Sequence, residues 1–455
     1  MKKKILSVLT AVTLIAALGA CGNENDGAAS GVGSSTGESS NPAIDHDIKC
    51  EITFLTHKQG MEDDFARYQE EFNKIYPNVT ITYEPIADYK DNIEIRLSSG
   101  NWGDMCMIPH QFMAETEYPN YFVSLGTIDE FSDKYEFAEA FSLNNEVYGI
   151  TSTGTAYGVL WNKAVLAQAG VTEFPKSEQE FYDVLQKVKD NTDAIPCYCN
   201  YGAGSRLADW EWNARGSMTA DSDYKNKLIY MDSPFAEGTP YYTVMRMLYN
   251  VVDRGLVEDD PTTSTWDTCS NLLATGDVAC TVIGSWACMD TKKKCDNPDD
   301  IVFAAFPCNI NGAQYATVAA DYAYAINKNI DPDKYQVAKD YIIYLTEESN
   351  FSYDSGGIPI AKGQEYPDTL IALQEANVTL IPDNPCHTED LGVFDKINET
   401  SELMLGKYYE KARIVEAAMG QRSETFDEIM ADWNKRWHDA QAEVIGEENI
   451  GANKY

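Results

Sequence analysis

Apolar side chains recur with helix and strand periods along residues 48–108, and they predict three strands joined by two helices. The strand patterns cover residues 48–56, 79–83 and 105–108, and the helical patterns cover residues 61–75 and 88–97. One face of the first helical pattern carries Phe65, Tyr68, Phe72 and Ile75. Strands that alternate with helices usually pair in parallel, so this region predicts an α/β fold with helices on the faces of a sheet.

A second informative pattern spans residues 272–289. A helix is expected to stop at Gly276, because glycine readily adopts the left-handed conformation that ends many helices. The apolar run 278–283 predicts a buried strand that Gly284 ends, and a new helix is expected to start at Trp286. A large aromatic ring therefore follows the carboxyl end of a strand, where open α/β sheets bind ligands. The alternative is that Trp286 is a core residue near a turn.

The first 47 residues are predicted to be targeting and linker segments that lie outside the fold. Lys2 to Lys4 precede an apolar run of residues 5–18, as in a secretory signal peptide, and Leu18-Gly-Ala-Cys21 resembles a bacterial lipobox. We expect residues 1–20 to be removed and Cys21 to be diacylated, which anchors a protein stably to a membrane. The alternative is an ordinary signal peptide with a chance cysteine. Residues 21–47 are rich in Gly, Ser and Asn and predict a flexible linker.

Composition and charge narrow the class of protein. With 455 residues the chain is too long for one compact core and suits two lobes. Hydrophobic residues make up 44% and charged residues 24%, as in ordinary soluble proteins. The formal charge of −37 argues against nucleic acid as a partner and favours a neutral or cationic ligand.

Cysteine and histidine usage gives no sign of a metal centre. The chain has eleven cysteines, and ten remain besides Cys21. The sequence leaves open whether these ten form disulfides or are free thiols. The five histidines are scattered, which argues against zinc. Asp221-x-Asp223 is a fragment of a calcium loop without its glycine and terminal glutamate, so bound calcium stays open. We predict no cofactor and no metal site.

Several short motifs follow one another in a fixed order between residues 48 and 359. They are Gly100-Asn-Trp-Gly-Asp104, Leu125-Gly-Thr-Ile-Asp129, Asn145-Glu-Val-Tyr-Gly149, Tyr157-Gly-Val-Leu-Trp161-Asn-Lys163 and Gly356-Gly-Ile-Pro359. Together with residues 272–289, their order resembles that of the extracellular solute-binding proteins of bacterial ABC importers, in the group that mostly takes sugars. The first motif departs from the family pattern, because Gly103 stands where the family tends to have proline.

The resemblance implies an α/β, periplasmic-binding-protein-like fold of two lobes, each built on a mainly parallel sheet flanked by helices, with a hinge between them. Residues 48–152 and 320–365 would form the first lobe, and residues 156–316 and 370–455 the second. The implied function is capture of a mono- or oligosaccharide and its delivery to the transmembrane permease subunits of an ABC importer. The protein would be a monomer, held by its lipid on the extracellular face of the cell membrane.

Candidate ligand residues follow strand ends that would face a cleft between the lobes. They are His57, Gln59, His110 and Gln111 in the first lobe, Trp210, Glu211, Trp212 and Trp286 in the second, and Asp321 at a crossing between them. Polar side chains can bind sugar hydroxyls, and a flat aromatic ring matches the C–H face of a pyranose. The two tryptophans of Trp210-x-Trp212 could both line the cleft; alternatively, one ring lies there and the other in the core.

Other functions remain as alternatives. A surface glycoside hydrolase needs two carboxylates across a cleft, but 72 acidic residues make chance pairs inevitable. No zinc-protease motif or phosphate loop is present, so we predict that the chain is not an enzyme. A peptide, polyamine or metal-chelate binder of the same architecture would also fit the sequence. An adhesin or structural lipoprotein is a third alternative, against which the absence of repeats argues.

Overall fold

The computed structural model describes residues 45–87, 89–110 and 113–455, except for the side chain of Asp91. The predicted signal peptide, Cys21 and most of the predicted linker lie outside these residues, as does Gln111. No helix in the described part of the chain is both long enough and apolar enough to cross a membrane.

Fourteen strands lie within the described residues and form three sheets. In chain order they are β1 Cys50–Thr56, β2 Val79–Pro85, β3 Met105–Pro109, β4 Gly126–Thr127, β5 Ser142–Leu143, β6 Glu146–Val147, β7 Ile150–Thr151, β8 Gly154–Asn162, β9 Ile195–Cys197, β10 Val278–Gly284, β11 Ile301–Ala305, β12 Tyr315–Ala320, β13 Tyr322–Ile326 and β14 Thr379–Pro382.

Helices cover the faces of the sheets. The α-helices in chain order are α1 Glu62–Phe72, α2 Tyr89–Ser99, α3 Tyr118–Tyr121, α4 Ile128–Phe131, α5 Lys163–Gln168, α6 Glu178–Asn191, α7 Gly216–Thr219, α8 Tyr224–Lys227, α9 Pro240–Asp253, α10 Trp266–Thr275, α11 Trp286–Lys292, α12 Pro332–Glu347, α13 Phe351–Asp354, α14 Ile371–Glu375, α15 Val393–Thr400, α16 Tyr409–Ala418 and α17 Phe426–Ile445. The 3₁₀ helices are Glu115–Glu117, Gly204–Ala214, Pro261–Thr263, Pro298–Asp300, Asp368–Leu370, Thr388–Asp390 and Glu447–Asn449.

The first lobe is built on a five-stranded sheet with the order β2-β1-β3-β13-β7. Helix α1 packs on it through Phe65, Tyr68 and Phe72, which are buried at the predicted spacing. The predicted fourth member of that face, Ile75, lies beyond the end of α1 and is 41% exposed. The small sheet β4-β6-β5 adds to this lobe.

The second lobe is built on a six-stranded sheet with the order β14-β12-β8-β10-β9, and β11 pairs with the far part of β8. The carboxyl-terminal helices complete its core. Helix α17 begins with a capping box between Thr425 and Glu428. Its buried apolar face is Phe426, Ile429, Met430, Trp433 and Trp437.

The two-lobed α/β fold is as predicted, but the sheets are mixed rather than mainly parallel. In the first sheet β1 pairs in parallel with β2 and β3, whereas β13 runs antiparallel to β3 and β7. In the second sheet β8 runs antiparallel to β10, β11 and β12. The reason is that β8 and β13 enter their sheets directly from the other lobe. They start at the edge where strands such as β3 and β10 end, so they must run in the opposite direction.

The pattern predicted over residues 272–289 is present in the structure. Helix α10 ends at Gly276, which has a φ of +85°, strand β10 follows, and α11 starts at Trp286. All ten cysteines of the described residues are free thiols.

Candidate ligand-binding site

Strands of both sheets begin or end at the boundary between the two lobes. In the first sheet β3 ends and β13 starts there, since Tyr322 pairs with Pro109. In the second sheet β10 ends there, where Gly284 pairs with Tyr157 near the start of β8. The residues that follow these strand ends therefore meet between the two lobes, where the rings of His110 and Trp212 approach each other, and we call this region the cleft.

On the first-lobe side His57 follows β1 and is fixed by aromatic contacts. Its ring stacks on Tyr322 with ring centroids 3.7 Å apart, and the ring of Tyr89 packs edge-on with its centroid 5.9 Å away. Burial, with the nearby charges of Lys58 and Lys90, lowers the pKa of His57 well below its ordinary value. The imidazole is therefore neutral, and its buried Nδ1 has no hydrogen-bond partner. A neutral imidazole can donate a hydrogen bond to a hydroxyl through one ring nitrogen or accept one through the other.

His110 follows β3 and contacts the second lobe. Its ring centroid lies 5.7 Å from that of Phe141 and 6.4 Å from that of Trp212. Burial lowers the pKa of His110 to about 3, assisted by the positive charges of Lys225, Arg215 and Lys90. His110 is thus neutral at physiological pH, and it meets Trp212 across the cleft.

Trp212 is the half-buried aromatic ring of the second-lobe side. It stacks on Tyr157 with ring centroids 4.6 Å apart and planes at 6°. The guanidinium carbon of Arg215 lies 4.0 Å from its ring centroid. These two contacts fix the orientation of the indole at the wall of the cleft.

A buried network of ion pairs holds Arg215, the residue that packs on the ring of Trp212. Arg215 donates to Asp383 at 2.6 Å and to Glu211 at 3.0 Å, and Lys411 donates to Glu211 at 2.7 Å. Burial alone would raise the pKa of Glu211, but Lys411 and Arg215 hold it below its ordinary value. Glu211 is 1% exposed and bonded to both cations, so its side chain belongs to this buried network, and its contact with a ligand stays a prediction.

Trp210 is buried as well. It is 1% exposed and packs in the core of the second lobe with its edge towards Phe306. The segment Gly204–Ala214 is a 3₁₀ helix, in which residues two apart point to different sides. Trp212 therefore lies at the cleft while Trp210 is enclosed, which is the alternative that the sequence leaves open.

Trp286 lies half-buried at the start of α11, just past β10. Trp266 packs edge-on at 5.0 Å, and the guanidinium carbon of Arg206 lies 4.7 Å from the indole centroid. A side chain at Gly284 would bring a Cβ within 2.7 Å of the indole, so this close approach requires glycine.

The structure also brings charged groups to the cleft that sequence reasoning missed. Arg206 and Asp209 lie on the same 3₁₀ helix as Trp212, with Arg206 Nη1 3.7 Å from Asp209 Oδ2. Burial raises the pKa of Asp209, and the charges of Arg206 and Lys90 oppose that rise. Burial likewise raises the pKa of Asp321, against the charges of Lys58 and Lys90. Of the two predicted residues Gln59 and Asp321, Gln59 is exposed, whereas Asp321 lies among these charges.

Three buried polar atoms from separate elements lack hydrogen-bond partners around this cleft. They are His57 Nδ1 after β1, Thr155 Oγ1 on β8 and Asp209 Oδ2 on the 3₁₀ helix. An unpaired buried polar group costs about 1–3 kcal/mol, so a ligand that pairs with these atoms relieves that cost. Such atoms, together with aromatic rings, are what a binding site for a polyhydroxylated ligand needs.

Metal binding finds no support in the described residues, which contain no cluster of three or more His, Cys, Asp or Glu side chains fit to hold an ion. The two carboxylates of the calcium-loop fragment are engaged elsewhere. Asp221 pairs with Lys227 at 2.5 Å, and Asp223 lies 2.9 Å from His387.

Comparison with known proteins gives matches along most of the chain. Residues 59–350 match the family model described as bacterial extracellular solute-binding protein. The multiple sugar-binding protein of Streptococcus mutans is 22% identical over 321 residues, which cover 69% of this chain and 75% of that protein.

Two solved structures from Bifidobacterium animalis subsp. lactis are similar over 88% of this chain and 96% of their own. A manno-oligosaccharide-specific solute-binding protein in complex with mannotriose has a TM-score of 0.81 and 31% identity. An ABC-transporter binding protein in complex with mannobiose has a TM-score of 0.81 and 32% identity.

Proposed function

Because the chain belongs to the bacterial extracellular solute-binding proteins, we propose that it captures a carbohydrate outside the cell and passes it to the permease of an ABC importer. The match to this family model confirms the resemblance found in the sequence. Both the family and the solved neighbours are binding proteins, so the expected activity is reversible binding. Bound saccharide should be recovered unchanged, which a turnover assay on labelled oligosaccharides tests.

The proposed ligand is a short mannose-containing oligosaccharide. Two neighbours at 31% and 32% identity were solved with mannotriose and mannobiose, which supports this class. The observation that carries the proposal is the meeting of aromatic rings and unpartnered buried polar atoms from both lobes at one cleft. Aromatic faces suit the C–H surface of a sugar ring, and the unpaired atoms suit its hydroxyls.

The charges of the cleft do not favour the polyamine alternative. A polyamine needs uncompensated carboxylates, but Asp209 and Asp321 lie among the cations Lys58, Lys90 and Arg206. Like charges repel a cationic ligand at close range. A neutral saccharide avoids this repulsion and can bond to both kinds of charged group.

The proposed mode of capture is closure of the two lobes about their crossings. The lobes proposed are residues 48–152 with 320–365, and residues 156–316 with 370–455. Residues from each lobe line the cleft, so a ligand that contacts both favours the closed arrangement. We also propose that the protein is a monomer and that it is attached to the membrane through a diacylated Cys21.

Isothermal titration calorimetry of the purified protein tests the proposed ligand. We expect mannobiose and mannotriose to bind, whereas maltotriose, spermidine and a neutral tripeptide give no heat beyond dilution. A bound ligand should also raise the melting temperature, since it stabilises only the folded state. Binding of spermidine or the tripeptide without binding of any mannose oligosaccharide would contradict the proposal.

A further inference from the structure

A second aromatic surface lies outside the cleft on the second lobe. Tyr408 and Tyr409 are 38% and 59% exposed, and their ring centroids are 4.6 Å apart. With Tyr201, Gly204 and Glu416 they border a concave space of about 460 Å³. That volume is within the range of small-molecule sites, roughly 300–1,000 Å³. We call the surface of Tyr201, Tyr408 and Tyr409 the tyrosine shelf.

The tyrosine shelf is held in place by polar contacts. Tyr201 donates its hydroxyl proton to Glu416 at 2.8 Å, and Glu416 also pairs with Arg422 at 2.5 Å. The loop before the two exposed tyrosines is tied to the buried ion network, because Lys411 donates to the carbonyl of Lys407 at 2.9 Å. The shelf is therefore connected through Lys411 to the charges that support the cleft wall.

The backbone beneath the shelf requires glycine at two positions. Gly204 has a φ of +51°, and a Cβ there would lie 3.4 Å from the ring of Tyr408. A Cβ at Gly202 would lie only 2.6 Å from the carbonyl of Thr262. The loop can thus approach the tyrosine rings closely and leave the space above them open.

The shelf adjoins the cleft. Gly204 borders the shelf and begins the 3₁₀ helix that carries Arg206, Asp209 and Trp212. Lys407, which directly precedes Tyr408, is close enough to lower the pKa of Lys90 on the first-lobe side, together with burial and Arg206. The shelf therefore lies beside the start of the segment that carries Arg206, two residues after Gly204.

We propose that the tyrosine shelf binds the distal sugar residues of an oligosaccharide whose other end is held in the cleft, so that the protein prefers longer chains. The inference rests on the proposed function. Adjacent exposed tyrosine rings offer apolar faces to pyranoses, and Glu416 with the tyrosine hydroxyls offers partners for sugar hydroxyls. Among the six exposed large hydrophobic residues of the described chain, only Tyr408 and Tyr409 are adjacent in sequence, which makes this a patch rather than a scattered surface residue.

The test is calorimetry with mannobiose and mannohexaose on the wild type and on a variant with Tyr408→Ala and Tyr409→Ala. We expect the wild type to bind mannohexaose about tenfold more tightly than mannobiose, a difference equivalent to about 1.4 kcal/mol. The double variant should lose that preference and keep the wild-type affinity for mannobiose. A variant with Tyr408→Phe and Tyr409→Phe keeps the rings and should retain most of the preference.

Tyr353→Ala is the matched control, because Tyr353 is 42% exposed on the first lobe. It should leave both affinities unchanged, and melting curves verify that every variant is folded. Equal affinity of the double alanine variant and the wild type for mannohexaose would overturn the inference, as would a wild type without chain-length preference. These outcomes differ from failure of the proposed function, in which neither saccharide binds to the wild type.

Discussion

Asp209→Asn should weaken saccharide binding strongly without weakening the fold. The carboxylate is 8% exposed, its Oδ2 has no hydrogen-bond partner, and Arg206 at 3.7 Å is too far away to supply one. A ligand hydroxyl that donates to this atom would make a hydrogen bond to a charged group, worth about 1.5–3 kcal/mol. The expected loss of affinity is therefore about 10- to 150-fold.

The same substitution should change how stability depends on pH. Burial raises the pKa of Asp209 above its ordinary value of 3.8, so the folded protein holds this proton more tightly than the unfolded chain does. Stability is then lost as pH rises from 3.8 through the raised folded-state pKa. The amide of the variant cannot ionise, so the variant should lack this loss and melt at or above the wild-type temperature at about pH 7.

The assay combines titration calorimetry with mannotriose at pH 7 and thermal unfolding between pH 4 and pH 7. Glu258→Gln is the matched control: Glu258 is 6% exposed, burial also raises its pKa, and it accepts from the backbone N–H of Cys199 at 2.8 Å within the second lobe. The control should alter the pH dependence of stability and leave the affinity unchanged. An affinity of Asp209→Asn within twofold of the wild type would refute the reasoning.

Three further changes test other parts of the molecule. Trp286→Ala should weaken binding of mannotriose at least tenfold while unfolding stays cooperative, because the ring is half-buried beside Arg206; unchanged affinity by calorimetry would contradict its place in the site. Lys411→Met should lower the free energy of unfolding by about 3–5 kcal/mol in urea titrations, since it leaves buried Glu211 without one of its two cationic partners, and a loss below about 1 kcal/mol would mean that the network relaxes. Cys21→Ala should move the expressed protein from the detergent phase to the aqueous phase in a phase-partitioning assay; persistence in detergent would exclude the lipid anchor.

Elements that depend on local periodicity could be predicted from the sequence. The buried face of α1, the apolar face of α17 and the helix stop at Gly276 follow from spacing and from the left-handed preference of glycine. The position of Trp286 after β10 follows in the same way, because a short β-branched run ended by glycine has few other conformations. These features need no information from distant parts of the chain.

The rest of the site depends on contacts between distant residues. No local sequence pattern predicts the 3₁₀ helix Gly204–Ala214. Side chains in and next to it bond to partners such as Lys411 and Asp383, which lie roughly 170–200 residues further along the chain. As a result, the sequence does not show that Trp210 and Glu211 are buried, and it does not single out Arg206 and Asp209. The antiparallel entries of β8 and β13 also escape a local prediction, since they depend on where the chain crosses between lobes.

The crossings themselves link the cleft to the proposed closure. β7 and β8 are separated by two residues, and β12 and β13 by Asp321 alone. Ser152 donates to the carbonyl of Tyr322 through its backbone N–H at 2.7 Å and its hydroxyl at 2.8 Å, and the backbone N–H of Asp321 donates to Thr153 at 2.9 Å. The two crossings are thus bonded to each other and must change direction together. Since Tyr322 also stacks on His57, a ligand bound there acts directly on the segment about which the lobes would turn.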